Sequence, residues 1–376
     1  MPEVSWRNRC RTPKLNSTIQ REPVGTDGCQ PMETKFGIMD RYARQIRFSE
    51  IGPEGQERLL ATRVALIGAG ALGTHIAGTL VRAGVGFLRI IDRDVPDLSN
   101  LQRQILFDEA DVEAQIPKAI AAAQRLSQAN SAVTIEPHVL DVNAANIERL
   151  VKDVDIVVDG TDNFEIRYLI NDACVKLGKP WVYGGVIGSY GMTMTIIPSE
   201  TACLRCVFPE PPPPGDAPTC DTAGVIGPAV AAVTAFQSAE TIKLALGATD
   251  ALNRDLLSID VWQLTFDRIP LGGPVPDCPC CGRRAFEYLE RGGRTQTTEL
   301  CGRDAVQVLI HPPARITLSS LAERLKAAGT VGYNQYLLRF HTEDHEFTVF
   351  PDGRAIIKGT TDPGEARSLY ARYIGM

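Results

Sequence analysis

Long apolar runs are absent from this sequence. Nothing in its 376 residues approaches the roughly 18 to 20 uninterrupted apolar residues that a membrane helix needs, and the N-terminus lacks the apolar core of a signal peptide. A cytoplasmic protein is the reading that follows. An excess of positive charge is missing too: 39 Lys and Arg stand against 45 Asp and Glu, a formal net charge of -6. That balance excludes a nucleic-acid binder working through a general basic surface. Histidine is scarce. The five, at 75, 138, 311, 341 and 345, show neither metal-ligand nor triad spacing and are assigned no role. No internal repeat is visible.

What is present is a globular composition, 44% hydrophobic and 22% charged, enough for one large domain or a medium domain with a small one. Residues 1–38 are mixed polar without periodicity and read as a disordered leader, with Met39 a plausible alternative start. A short helix follows from Asp40, and then strand and helix alternate. Strands are expected at 64–67, 88–91, 133–135 and 156–159, with helices at 72–84, 117–128 and 144–151 between them, so the fold class is α/β with a mostly parallel sheet. Further strands are expected near 181–183 and 192–197. The proline run at 209–215 forces an exposed loop, because proline lacks the N–H and fixes φ. A buried apolar helix at 228–246 and strands at 256–259 and 262–266 come after it. From 286 to 376 the pattern is a small α+β extension: a helix at 318–328, three β-like runs at 336–341, 346–350 and 354–358, and a last helix at 363–373.

The strongest chemical signal is Gly68-x-Gly70-x-x-Gly73, between a strand and a helix. Glycines let the backbone approach phosphates, and the helix N-terminus offers free N–H donors and a partial positive charge. Asp92 lies where a ribose-binding acid belongs. The fingerprint alone points to a dinucleotide such as NAD. The neighbouring loops point elsewhere: Ser99, Asn100 and Arg103 follow the second strand, Lys118 starts the next helix, and Asp162 and Asn163 follow the fourth strand. Cations and a hard carboxylate oxygen converging at one sheet edge suit ATP with Mg2+.

Ten cysteines include two CxxC pairs, Cys203 with Cys206 and Cys278 with Cys281. Four thiolates make a closed tetrahedral zinc site, with Cys280 available as a substitute ligand. A redox role fits less well, since neither pair is expected to start a helix after a strand. Cys220, past the proline run, is placed to act as an exposed nucleophile.

Taken together, RYARQI at 41–46, GAGALG at 68–73, DRD at 92–94, SNLQRQ at 99–104, PK at 117–118, TDN at 161–163 and the paired CxxC resemble the ThiF/MoeB/HesA family over about residues 40–285. These are bacterial relatives of ubiquitin-activating E1 enzymes. The resemblance implies a Rossmann-like E1/ThiF adenylation domain over 39–285. Its activity would be ATP-dependent adenylation of the C-terminal glycine of a ubiquitin-like sulfur carrier, ahead of thiocarboxylate formation. By motif, Gly70 and Asp92 would hold the adenosine, Asn100, Arg103 and Lys118 the phosphates, and Asp162 the Mg2+. Arg44 would be donated from a second subunit, which implies a homodimer. Cys220 matches a crossover-loop cysteine that in some members links covalently to the carrier.

The extension resembles that of longer ThiF-type adenylyltransferases, which favours a ThiS-like carrier of the thiamin thiazole pathway over a MoaD-like molybdopterin carrier. It shows no rhodanese-type cysteine loop, so a separate sulfurtransferase is expected. An NAD-dependent oxidoreductase, the rival enzyme, lacks an identifiable hydride-transfer partner. A carrier-binding scaffold without catalysis is the non-enzymatic rival, against which Arg103 and Asp162 both speak.

Overall fold

The computed structural model describes residues 39–212, 223–290, 297–300, 305–309 and 315–375. The expected leader, 1–38, and Cys220 lie outside them. A 3-10 turn, Asp40–Tyr42, and helices α1 (Ala43–Ile46) and α2 (Gly52–Ala61) precede the first strand. Then come β1 (Arg63–Ile67), α3 (Ala71–Ala83), β2 (Phe87–Ile91), α4 (Glu109–Glu113), α5 (Lys118–Ala129) and β3 (Thr134–His138). The alternation continues through α6 (Ile147–Val151), β4 (Ile156–Asp159), α7 (Phe164–Leu177) and β5 (Trp181–Ile187). Strands β3-β2-β1-β4-β5 are parallel neighbours. Antiparallel β6 (Tyr190–Ile196), β7 (Asp255–Asp260) and β8 (Thr265–Pro270) complete an eight-stranded sheet. Between β6 and β7 lie the one-turn α8 (Leu204–Val207) and the long α9 (Gly227–Leu246).

The inner strands are apolar at nearly every position because both faces are covered. Val64 and Leu66 point to one core with Leu72, Ile76 and Leu80 of α3, Leu126 of α5 and Val230 of α9. Ala65 and Ile67 point to the other, with Leu150 of α6, Leu169 of α7 and Trp181. Arg89, the one charged residue of β2, is 7% exposed and paired with Asp153 at 2.6 Å and Glu136 at 2.9 Å. Among the described residues no helix is long and apolar enough to cross a membrane.

The central region differs from the sequence expectation in several parts, the short α4 and α8 among them. Helix α7 was not anticipated; Asn163 caps it, its Oδ1 accepting from the N–H groups of Glu165 and Ile166. The strand expected at 262–266 starts later, at Thr265. Asp260 Oδ1 accepts from the N–H of Trp262 and of Gln263, an Asx-type turn that spends the apolar residues Trp262 and Leu264 on a solvent-facing hairpin tip.

After α10 (Glu287–Glu290), a second sheet begins with β9 (Thr297–Leu300) and β10 (Ala305–Val308). It continues after α11 (Leu318–Leu325) with β11 (Thr330–Tyr333), β12 (Leu338–His341), β13 (Glu346–Val349) and β14 (Ala355–Lys358). The six strands are antiparallel in the order β11-β12-β13-β14-β10-β9. The alternate residues Leu338, Phe340, Phe347, Val349 and Ile357 share a core with α11 and α12 (Pro363–Tyr373). The sequence showed only three of these strands, β12, β13 and β14; of the others, β9 (Thr-Thr-Glu-Leu) is mostly polar and β11 (Thr-Val-Gly-Tyr) is broken by glycine and largely exposed.

Helix α3 sets the position of everything around it. It ends at Gly84 with φ +88, whose N–H bonds the carbonyls of Leu80 and Val81. Against that end pack Tyr42, whose hydroxyl accepts from Asn130, and Gln45 and Gln56, which both donate to the Ala83 carbonyl. A Cβ at Gly84 would meet the Tyr42 ring at 2.5 Å. Gly84→Ala is expected to destabilise the fold by about 1–3 kcal/mol, from left-handed strain plus overpacking, read as a lower midpoint in urea unfolding.

Candidate active site

The turn from β1 into α3 is built on backbone contact. Gly68 has φ +92, and its carbonyl oxygen lies 2.0 Å from where a Cβ at Gly73 would sit and 2.5 Å from one at Gly160. The loop after β1 and the loop after β4 therefore touch through glycines. Gly70 is different: a Cβ there would have no neighbour closer than 3.9 Å. Gly70 is also the N-cap of α3 and supplies no side-chain acceptor to the first turn. An open backbone face over free helix N–H groups is an anion site.

Asp92, at the end of β2, accepts from the Ala69 N–H and the Asp94 N–H, both at 2.7 Å. It thereby ties the glycine loop to its own. Burial pushes its pKa up, and the Lys118 ammonium opposes that. Lys118 is 3% exposed, its Nζ 3.8 Å from the Asp94 carboxylate and its N–H bonded to the Asp94 carbonyl at 2.9 Å.

Ser99 and Asn100 form a 3-10 turn held by a capping box with Asp97. Arg103 Nη1 donates to the Ser99 carbonyl at 2.8 Å, which leaves the rest of its guanidinium for another acceptor. Beneath that turn His75 of α3 bonds the Arg103 backbone, and burial lowers its pKa. Gln104, 4% exposed, lies over Gly70, its Nε2 being the atom at 3.9 Å.

The loop after β4 hangs on a buried pair that the sequence did not single out. Asp159 is fully buried; its Oδ1 accepts from Thr161 N and Oγ1, and its Oδ2 from Arg167 Nε at 3.0 Å. Arg167 Nη2 also donates to the Thr161 carbonyl, and Gln237 of α9 to the Asp159 carbonyl. Burial pushes Asp159 up, with Arg167 opposing. Held this way, Asp162 faces solvent and Asn163 caps α7. Arg167 and Gln237 were missed because buried polar residues on helices carry no spacing signal, and Asp159 and Gln104, at a strand end and in a loop, because nothing in their spacing shows that they are buried.

Gly68, Gly70, Gly73, Asp92, Ser99, Asn100, Arg103, Lys118, Asp162 and Asn163 thus lie around the carboxyl ends of β1, β2 and β4, where ligands bind in open α/β sheets. Arg44 does not. It is exposed on α1 beside the C-terminal end of α3, a 13-residue helix about 20 Å long that separates it from the glycine loop.

The Sγ atoms of Cys203, Cys206, Cys278 and Cys281 lie within 4.8 Å of one another. Neighbouring sulfurs are 3.3 to 3.8 Å apart, and a tetrahedron of Zn–S bonds has edges of roughly 3.8 Å. The four thiols fit zinc. Cys206 is pushed up to about 12 by its bond with Cys203 and by burial, and Cys281 to about 12 by burial and its bond with Cys206. A divalent cation is what ionises such thiols. Cys203 does N-cap the one-turn α8, contrary to the expectation that neither pair starts a helix, but raised thiols are the reverse of a redox pair. Cys280 stays outside the quartet, accepting from Asn171 Nδ2 at 3.1 Å.

Residues 42–280 match the ThiF family. The chain belongs to the ThiF family. Among its ThiF-family relatives is the sulfur carrier protein ThiS adenylyltransferase of Bacillus subtilis, 44% identical over 89% of this chain and 99% of that one. The SAMP-activating enzyme E1 of Haloferax volcanii is 42% identical over 67% of this chain and 92% of its own. The adenylyltransferase and sulfurtransferase MOCS3 of Anopheles gambiae is 36% identical over 77% of this chain and 65% of its own length. In fold, the ThiF-family chain superposes on Escherichia coli MccB with ATP at a TM-score of 0.56 and 23% identity, covering 64% of this chain and 74% of that one.

Asn171 is fully buried, accepts from the Leu204 N–H and donates towards Cys280 and Cys203, so it orients the first cysteine knuckle from behind. Asn171→Ala is expected to weaken zinc binding by about 10- to 100-fold in chelator competition.

Proposed function

We propose that this ThiF-family chain adenylates the C-terminal glycine carboxylate of a ubiquitin-like sulfur carrier, converting ATP to acyl-adenylate and pyrophosphate ahead of thiocarboxylate formation. The observation that carries the reading is the convergence of an uncapped helix N-terminus, Lys118, Arg103 and Asp162 at one sheet edge, on a chain whose relatives are named for that activity. The carrier carboxylate attacks the α-phosphorus, the bond to the bridging oxygen breaks, and pyrophosphate leaves with its electrons. Because the attacking group is already an anion, no protein base is needed. The barrier is the meeting of two anions, which Lys118, Arg103 and the α3 N–H groups lower by neutralising phosphate charge. Asp162, a solvent-facing hard oxygen donor, would hold Mg2+, whose chemistry is charge neutralisation on the phosphates.

The carrier we infer is ThiS-like, because the Bacillus relative aligns over 89% of the chain and so reaches into the extension; the setting would be thiamin thiazole synthesis in the cytoplasm. The likeness to MOCS3 keeps a MoaD-like molybdopterin carrier as the second reading. That relative is also named a sulfurtransferase; because the extension carries no rhodanese-type cysteine loop, the sulfur donor we infer is a separate sulfurtransferase. Cys220 would supply any covalent link to the carrier.

The position of Arg44 at the far end of α3 supports a homodimer in which each site borrows the partner's copy. With Mg-ATP and a carrier ending in Gly-Gly, the protein is expected to exchange labelled pyrophosphate into ATP. Arg103→Ala and Asp162→Ala should each cost on the order of 100- to 1,000-fold. No exchange with either carrier would sink the reading. Arg44→Ala should be inactive alone. Mixed in equal amounts with Asp162→Ala it should recover about a quarter of the parental rate, since half the dimers are mixed and one of their two sites is complete. A mixture as inactive as its parts would remove the shared-site geometry.

A further inference from the structure

Among the described residues, side chains of the second sheet's turns hydrogen-bond the nucleotide-binding half at two places, and both are loops that adjoin site residues. Arg354, in the turn between β13 and β14, is 2% exposed. Its Nη2 donates to the Arg93 carbonyl at 3.2 Å, the residue between Asp92 and Asp94. Asn334, in the turn between β11 and β12, donates from Nδ2 to the carbonyls of Ala114 at 3.1 Å and Gln115 at 3.3 Å. Gln115 has φ +52 and opens the turn Ile116-Pro117 that leads into Lys118. The two gripped loops are also bound to each other, through Lys118 and Asp94.

Arg354 is held as a positioned charge. Its guanidinium stacks 3.6 Å over the Phe350 ring, and Nε is 3.9 Å from Asp352. Asp94 and Asp141 act on it through space, and Arg93, itself paired with Asp141 at 2.6 Å, opposes them. Its Nε and Nη1 are buried without a hydrogen-bond partner among the described residues. Burying a cation with two donors unmet costs free energy, so a core built for stability alone would place an apolar residue here. Of the acids it answers, Asp352 is its neighbour in the extension, while Asp94 and Asp141 belong to the nucleotide-binding half.

We propose that the extension is a clamp on the nucleotide site, with Arg354 as a positioning residue that fixes the loop of Asp92 to Asp94 while Asn334 fixes the turn before Lys118. The clamp rests on the adenylation reading for its ligand, Mg-ATP. Loosening it moves Asp92 and Lys118 relative to the glycine loop, which weakens nucleotide binding and leaves the carrier's own binding alone.

The test uses the full chain with its zinc. Arg354→Met keeps the volume and removes the donors; Asn334→Ala removes the other grip at a partly exposed position. KM for ATP in pyrophosphate exchange should rise roughly 10-fold or more in Arg354→Met, by the cost of a misplaced site, and less in Asn334→Ala, with KM for the carrier unchanged in both. Hydrogen exchange of residues 92–118, measured without carrier, should quicken in both variants. Unchanged KM for ATP and unchanged exchange protection overturn the clamp. If Arg354→Met unfolds the extension, protection of 92–118 still decides, because an undisturbed site beside an unfolded extension also overturns it. A parent protein that binds Mg-ATP yet exchanges no pyrophosphate would refute the adenylation reading instead, and the carrier-free protection measurement stands apart from that outcome.

Discussion

Everything at the site depends on how closely three stretches of backbone approach one another. The Gly68 carbonyl sits where Gly73 and Gly160 have no side chain to put in its way. That contact joins the first turn of α3 to the loop after β4, and so decides that a phosphate-binding helix end and a carboxylate-bearing loop share one cleft. With side chains there, the loops would part and the helix N-terminus would face a carboxylate too distant to act with it.

Buried carboxylates then hold the loops from below. Asp92 accepts from the glycine loop, and Asp159 from Thr161 and Arg167. Each is a charge removed from water and repaid by backbone N–H groups and a nearby cation. Such groups do not react. They spend their hydrogen bonds on geometry, which leaves Asp162 and the rest of the Arg103 guanidinium, beyond its bond to the Ser99 carbonyl, open at the surface of the cleft.

The parallel half of the fold was legible because its strands are apolar on both faces and its helices are punctuated by glycine and proline, as at Gly84 and Pro117. The glycine loop, Lys118 and the four cysteines were legible because their chemistry demands particular residues at particular spacings. Helix α7 was hidden by its own start: Asn163 was read as a ligand-loop residue, and its role as the cap was not. The hairpin tip misled through Trp262 and Leu264, whose apolar character is spent in solvent on a turn set by Asp260. Residues that act through other residues, such as Asp159, Arg167 and Asn171, were out of reach, since their partners are distant in the chain.

The four-cysteine cluster has a consequence for how the antiparallel half of the sheet persists. Its two knuckles are 75 residues apart in the chain, and the loop they close contains α9 and the β7–β8 hairpin, whose outer strand is exposed along its whole length. A bound cation would act there as a removable cross-link, withdrawing chain entropy from the unfolded state as a covalent bridge does. Unlike a covalent bridge, its contribution grows with the logarithm of free metal concentration. The endurance of that half of the sheet would then be set by the surrounding solution as well as by the fold.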